Sequence, residues 1–260
     1  MNRPDFDRPR VDEVQVFWLS LSLPSEELAL AFEVLSAEER LRSQRLCRPI
    51  SRRRHIACWG QVRWLLGLCL DLPPEALEFA RGPWGKPYLV GERELAFNLS
   101  HSQDLMFLAT SRGRQLGVDV EAIRPIADLE RLARRCLASS EWEAWQNLTE
   151  EERLPAFLRF WTLKEALAKA SGQGLRLGVK RLAFALGSGL VAVPEELGPA
   201  ASWTVHEWVE KEFCAALCAR PGGYQIVERR LPPGWISTAV GNLGKQFRLR
   251  RLSRLLRAFD

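Results

Sequence analysis

Val118-Asp119-Val120-Glu121, directly after Gly117, alternates apolar and acidic residues. On a strand this alternation puts both carboxylates on one face and both valines on the other. Further along, Trp161-Thr162-Leu163-Lys164-Glu165-Ala166-Leu167-Ala168-Lys169 reads as helix, with Trp161, Glu165 and Lys169 stacked on one face at i, i+4 and i+8. The two segments supply three carboxylates and a lysine able to converge on one divalent cation and one phosphate. Hard oxygen ligands of this kind suit Mg²⁺, which keeps waters and binds through a few carboxylates plus substrate phosphates.

At 260 residues the chain can bury a real core, as one large domain or two small ones. No apolar run reaches membrane-spanning length; the best, Ile56 to Leu70, is broken by Gln61 and Arg63. Met1-Asn2-Arg3-Pro4-Asp5 has no apolar signal-peptide core, so a cytoplasmic location is the expectation. The six cysteines form no C-x-x-C pair and have no histidine at zinc spacing, so buried reduced thiols are expected. The formal charge of +5 is carried by residues 242–260, where Lys245, Arg248, Arg250, Arg251, Arg254 and Arg257 face Asp260 alone. The remaining body is neutral, which argues against a broad nucleic-acid surface.

The pattern predicts a strand from Val14 to Leu21 and a helix from Ser25 to about Leu35. A capping box opens another helix at Ser36, and a long helix runs from about Arg52 to Leu70. Glu94–Leu99 and Leu105–Thr110 read as paired strands joined by a Ser100-His101-Ser102 loop, and Gln115–Glu121 as the next strand. Residues 127–147 suggest helices. Thr149 opens the helix carrying Glu165 and Lys169, and Gly172-Gln173-Gly174 ends it. Strand-like runs follow at 179–186, 189–193, 202–209 and 212–219. The class is α+β, with strands and a long helix twice over.

Four ordered segments resemble the signature of the 4′-phosphopantetheinyl transferases, specifically the large Sfp-type class. They are Gly85-Lys86-Pro87, Phe97-Asn98-Leu99-Ser100-His101-Ser102, Gly117 to Glu121, and Trp161 to Lys169. The resemblance implies two similar α+β halves in a pseudo-twofold arrangement. Residues 1–113 would recognise the coenzyme A adenine and 3′-phosphate, residues 114–223 would carry the metal and catalytic motifs, and residues 224–260 would form a basic tail. It implies a carrier-protein serine attacking the β-phosphate of coenzyme A, with Mg²⁺ or Mn²⁺, and adenosine 3′,5′-bisphosphate leaving. Asp119, Glu121 and Glu165 would be metal ligands, Glu165 would also take the serine proton, and Lys169 would neutralise the α-phosphate. His101 and Ser100 would meet cofactor phosphate, Lys86 the adenine, and Arg54 with His55 the 3′-phosphate, helped by Arg42 or Arg45. Asn98 would buttress its turn. The partners implied are coenzyme A and an acyl or peptidyl carrier protein, and a monomer is expected.

Two other classes stay open on the residues themselves. A metal-dependent nuclease also clusters carboxylates with a lysine, but Leu167 stands where that class usually places an acid two positions before the lysine. A non-catalytic protein could bind nucleic acid or anionic membrane through the tail, where Leu252, Leu255, Leu256 and Phe259 give residues 245–259 a basic amphipathic pattern.

Overall fold

The computed structural model describes residues 6–187, 189–220 and 222–241. Its elements come in a repeated order. The first round is β1 (Glu13–Ser20), α1 (Ser25–Glu33), α2 (Ala37–Gln44), α3 (Pro49–Leu70), a small hairpin of β2 (Phe79–Arg81) and β3 (Pro87–Leu89), and a long pair, β4 (Leu95–Ser102) and β5 (Leu105–Arg112). The second round is β6 (Gln115–Ala122), α4 (Leu129–Cys136), α5 (Ser139–Gln146), α6 (Glu150–Ser171), a small hairpin of β7 (Ala183–Ala185) and β8 (Gly189–Ala192), then β9 (Thr204–Val209) and β10 (Phe213–Arg220). Strand β11 (Gln225–Arg230) follows. Helices α3 and α6 are each 22 residues long. Strand order repeats too: β1-β5-β4 in one sheet and β6-β10-β9 in the other, with β11 added to the free side of β1. The class is α+β, as the sequence predicts.

The described residues condense into two compact units that do not follow this repeat. The smaller takes 6–7, 20–77 and 231–241; the larger takes 8–19 and 78–230.

In the smaller unit, α1 meets α3 at Gly60, where a Cβ would run into Ala31. Helix α2 opens with the expected capping box: Ser36 Oγ accepts from the Glu39 N–H, and the Glu39 carboxylate accepts from the Ser36 N–H. Glu39 also receives the Arg63 guanidinium at 2.7 Å. Arg63, which interrupts the apolar run of α3, is satisfied indoors by Glu39 and by the carbonyls of Pro74 and Leu77.

Part of the segment set apart as a tail belongs to this unit. Residues 235–241 are helical. The buried Glu27 carboxylate accepts from the N–H groups of Gly234, Ile236 and Ser237 at 2.8, 3.0 and 3.3 Å, a negative charge on a helix start. Trp235 is buried and donates its indole N–H to Gln61 Oε1 at 2.8 Å. In the larger unit, β11 pairs in parallel with β1, from Glu13 beside Gln225 to Trp18 beside Arg230. The basic amphipathic pattern at 245–259 lies outside the described residues. The motifs that carry the chemistry all lie before residue 170, so removing residues 242–260 is expected to leave kcat nearly unchanged. Removing residues 224–260 also strips β11 and Trp235. Loss of a buried Trp side chain alone costs about 3–5 kcal/mol, so this variant is expected to unfold at much lower urea. Equal urea midpoints for the two truncations would contradict the packing of the segment.

In the larger unit, α6 covers one face of β6 and β10. Phe157, Phe160, Leu163 and Leu167 pack there with Cys214, Ala216 and Cys218. Val118 and Val120 face the other way, into a core with Val14, Val16, Trp18 and Phe107. Trp18 lies flat on Phe107, with centroids 4.1 Å apart. Three expectations change. Ser100-His101-Ser102 continues strand β4, and the turn comes after it, with Gln103 at a left-handed φ of 53°. The run 179–186 is strand only over Ala183–Ala185, because Val179–Arg181 forms a tight helical turn. Strand β11 was not anticipated. The six cysteines are free thiols, five buried and Cys47 exposed. Among the described residues no helix is long and apolar enough to cross a membrane.

Candidate active site

Gly117, Asp119 and Glu121 share the face of β6 that α6 covers. A Cβ on Gly117 would collide with the backbone of α6 at Ala166 and Ala170. The missing side chain lets the helix lie against the strand, and that contact sets Lys169 of α6 against Asp119 of β6. The helix itself is fixed at both ends: Thr149 and Glu152 form a capping box, and Gly172 turns the chain out at a φ of 75°.

Asp119 is buried at 4 % exposure, and its Oδ1 carries two donors. Lys169 Nζ and Ser100 Oγ each reach it at 2.7 Å. Lys169 also donates to Ser100 Oγ at 3.0 Å and to the Val118 carbonyl at 3.2 Å. Ser102 Oγ donates to Glu121 Oε2 at 2.8 Å. Burial pushes the Glu165 carboxyl above the usual carboxylate range; repulsion from Asp119 adds to this, while Lys169 opposes it. Glu121 is raised for the same first reason, with the Ser102 hydroxyl pulling back and Asp119 pushing further. The carboxylates therefore repel one another, with Lys169 and, at Glu121, Arg124 opposing the repulsion.

Asp119 Oδ2 and Glu165 Oε1 are buried and have no hydrogen-bond partner. Buried carboxylate oxygens left bare are costly unless a cation or donor meets them. Among the described residues no three His, Cys, Asp or Glu side chains form a ready-made metal cage. The carboxylates fit a hard divalent ion whose remaining positions go to phosphate and water, the usual manner of Mg²⁺.

The other anticipated residues fall as follows. His101 is exposed and lies on β4 between the two serines, so it projects from the opposite face of the strand. Asn98 buttresses the neighbouring strand, not its turn: its Oδ1 accepts the Val118 N–H at 2.8 Å. Arg42 and Arg45 are exposed at the end of α2, and Arg54 and His55 are half-buried on α3; all four belong to the smaller unit. Lys86 is not a solvated turn residue. Its Nζ donates to the Leu116 carbonyl at 2.7 Å, and burial lowers its pKa from 10.5 to about 8. Between those values the unfolded chain holds a proton that the folded chain has released, so stability should rise with pH across that window. Lys86→Met is expected to remove this rise in urea titrations at graded pH; an unchanged slope would show that Lys86 is not the group responsible.

Sequence reasoning missed Ser102, which looked like turn chemistry, and the partners of Lys164. That lysine sits inside the helical motif yet is fully buried against Glu141 at 2.6 Å. No spacing along the chain announces such a pair.

The family model of the 4′-phosphopantetheinyl transferase superfamily matches residues 115–218, and that of the 4′-phosphopantetheinyl transferase N-terminal region matches residues 23–113. The 4′-phosphopantetheinyl transferase HetI of Nostoc sp. strain PCC 7120 is 37% identical over 218 residues, covering 82% of this chain and 90% of that protein. The chain belongs to the 4′-phosphopantetheinyl transferase superfamily. A putative 4′-phosphopantetheinyl transferase of Synechocystis sp. is 34% identical over 151 residues, 57% of this transferase and 61% of that protein. The transferase AcpT of Escherichia coli K12 is 38% identical over 113 residues, 42% of this transferase and 57% of AcpT. The first family match begins at β6, so it takes in the strand of Asp119 and Glu121 and the helix of Glu165 and Lys169.

Proposed function

We propose that this transferase moves 4′-phosphopantetheine from coenzyme A to a serine of an apo acyl or peptidyl carrier protein, with Mg²⁺ or Mn²⁺, as a monomer of the large Sfp-type class acting in the cytoplasm. The observation that carries the site assignment is the pair of bare buried oxygens on Asp119 and Glu165 beside the Lys169 ammonium. The serine Oγ forms a bond to the β-phosphorus, the bond from that phosphorus to the bridging oxygen breaks, and adenosine 3′,5′-bisphosphate departs. A divalent ion held by Asp119, Glu121 and Glu165 would neutralise charge on the pyrophosphate oxygens. Glu165, with its carboxyl raised by burial, is suited to accept the serine proton. Lys169 is suited to the charge growing on the leaving phosphate.

Coenzyme A recognition falls to residues 1–113 on this reading, and chemistry to residues 114–223; the repeat of element order supports two such halves in one chain. Lys86 and His101, with Ser100 beside it, would meet the adenine and phosphate portions. Arg54 and His55, helped by Arg42 or Arg45, would take the 3′-phosphate, the arginines through forked guanidinium contacts. The decisive experiment incubates the protein with coenzyme A, Mg²⁺ and an apo carrier and weighs the carrier intact. A gain of one phosphopantetheine per carrier is expected, and an unchanged mass with a competent carrier would remove the assignment. In the same assay dephospho-coenzyme A should show a higher KM. Arg54→Ala and His55→Ala should lose that discrimination, and its full retention would place the 3′-phosphate elsewhere.

A further inference from the structure

We propose that Ser102 is a positioning residue for Glu121, as Ser100 is for Asp119, so that one face of β4 holds the carboxylates of β6 ready for an ion. This rests on the metal reading of the site given above. Strands β4 and β6 belong to different sheets, so no backbone ladder joins them. Side chains join them instead. Asn98, Ser100 and Ser102 alternate along one face of β4. In the same order they meet the Val118 N–H at 2.8 Å, Asp119 Oδ1 at 2.7 Å and Glu121 Oε2 at 2.8 Å. From Ser100 to Ser102 the two-residue step of β4 is matched to the two-residue step from Asp119 to Glu121 on β6.

The chemistry of the contacts gives them a direction. A serine hydroxyl has one proton to donate. Ser100 and Ser102 have each given it to a carboxylate oxygen, which disposes them to orient those carboxylates. Each bond occupies one oxygen of its partner; on Asp119 the other oxygen is the bare, buried one. Ser100 also touches Lys169 and so serves two groups. Ser102 is 8 % exposed and its hydroxyl goes to Glu121, which makes it the cleaner probe. The histidine between them, on the opposite face, is left to other work.

The test is Mn²⁺ binding, read from the electron paramagnetic resonance signal of free Mn²⁺ with coenzyme A present. Ser102→Ala is expected to weaken Mn²⁺ by about 10–100-fold, the range for losing a partner of a metal ligand. Ser102→Thr, which keeps the hydroxyl, should stay near the wild type. Ser102→Cys, similar in reach but a weak donor, should weaken Mn²⁺ and serves as the informative variant if Ser102→Ala fails to fold. In turnover, Ser102→Ala should need more Mg²⁺ for half-maximal rate while KM for coenzyme A stays put. Wild-type affinity in both Ser102→Ala and Ser102→Cys would overturn the proposal, as would a Thr variant as weak as Ala. A wild type that binds no Mn²⁺ yet modifies its carrier would overturn both the metal reading and this one, while leaving the transfer itself standing.

Discussion

Asp119→Ala is expected to lower turnover by about 10²–10³-fold, the usual loss on removing one group that stabilises transition-state charge. The variant loses an ion ligand and the partner of Lys169 together. It should still fold. Lys169 is 26 % exposed and can turn to water, and Glu121 and Glu165 are relieved of a neighbouring charge. Removing Glu165 as well should add much less than a second factor of that size, because the groups act as one unit. Near-normal turnover of Asp119→Ala at ordinary Mg²⁺ would take Asp119 out of the site.

Among single substitutions, the largest loss of stability is expected from Lys164→Ala. Lys164 and Glu141 are both fully buried, 2.6 Å apart. The ammonium also donates to the carbonyls of Cys136 and Val179 at 2.8 and 2.9 Å. Glu141 in turn accepts the N–H groups of Ala138 and Phe184 at 2.7 and 2.8 Å. The pair thus pins α5, α6 and β7 together through five charge-assisted bonds, and truncating one partner leaves a carboxylate buried without its cation. That should cost about 3–5 kcal/mol in urea unfolding. Replacing both by apolar residues, as in Lys164→Met with Glu141→Leu, should recover part of it. A loss below about 1 kcal/mol for Lys164→Ala would mean that water reaches the pair, because only exposed ion pairs are worth so little.

What the sequence made legible was local. The capping boxes at Ser36 and Thr149 opened their helices where expected, because cap and third residue lie within one turn. The alternation through Val118 to Glu121 assigned each side chain to its face. Reading failed where distant partners decide. Residues 225–230 are charged and look like a solvated end, yet they become strand because β1 offers them an edge. Ser100-His101-Ser102 has the residues of a turn but stays extended, paired with Phe107, Met106 and Leu105 of β5, and its serines are claimed by carboxylates on β6. Arg63 and Lys164 break apolar helix faces in the sequence and prove buried, each beside a glutamate far along the chain. The association of the acidic strand with the Glu165 helix was readable only as a shared chemistry; the contact that enforces it depends on Gly117 having no side chain.

The placement of β11 beside β1 bears on how the chain is made. Strand β1 can pair with β5 once residue 112 has emerged, but its other edge stays open until residue 230. Residues 113–230 must be synthesised in between, which takes on the order of ten seconds at ordinary rates. Throughout that interval the ribosome-bound chain presents Val14-Gln15-Val16-Phe17-Trp18-Leu19 as an apolar strand with unpaired backbone groups. Such edges recruit other strands. The nascent protein therefore keeps an aggregation-prone edge through the second half of its translation, and slowing synthesis beyond residue 113 should lower its soluble yield.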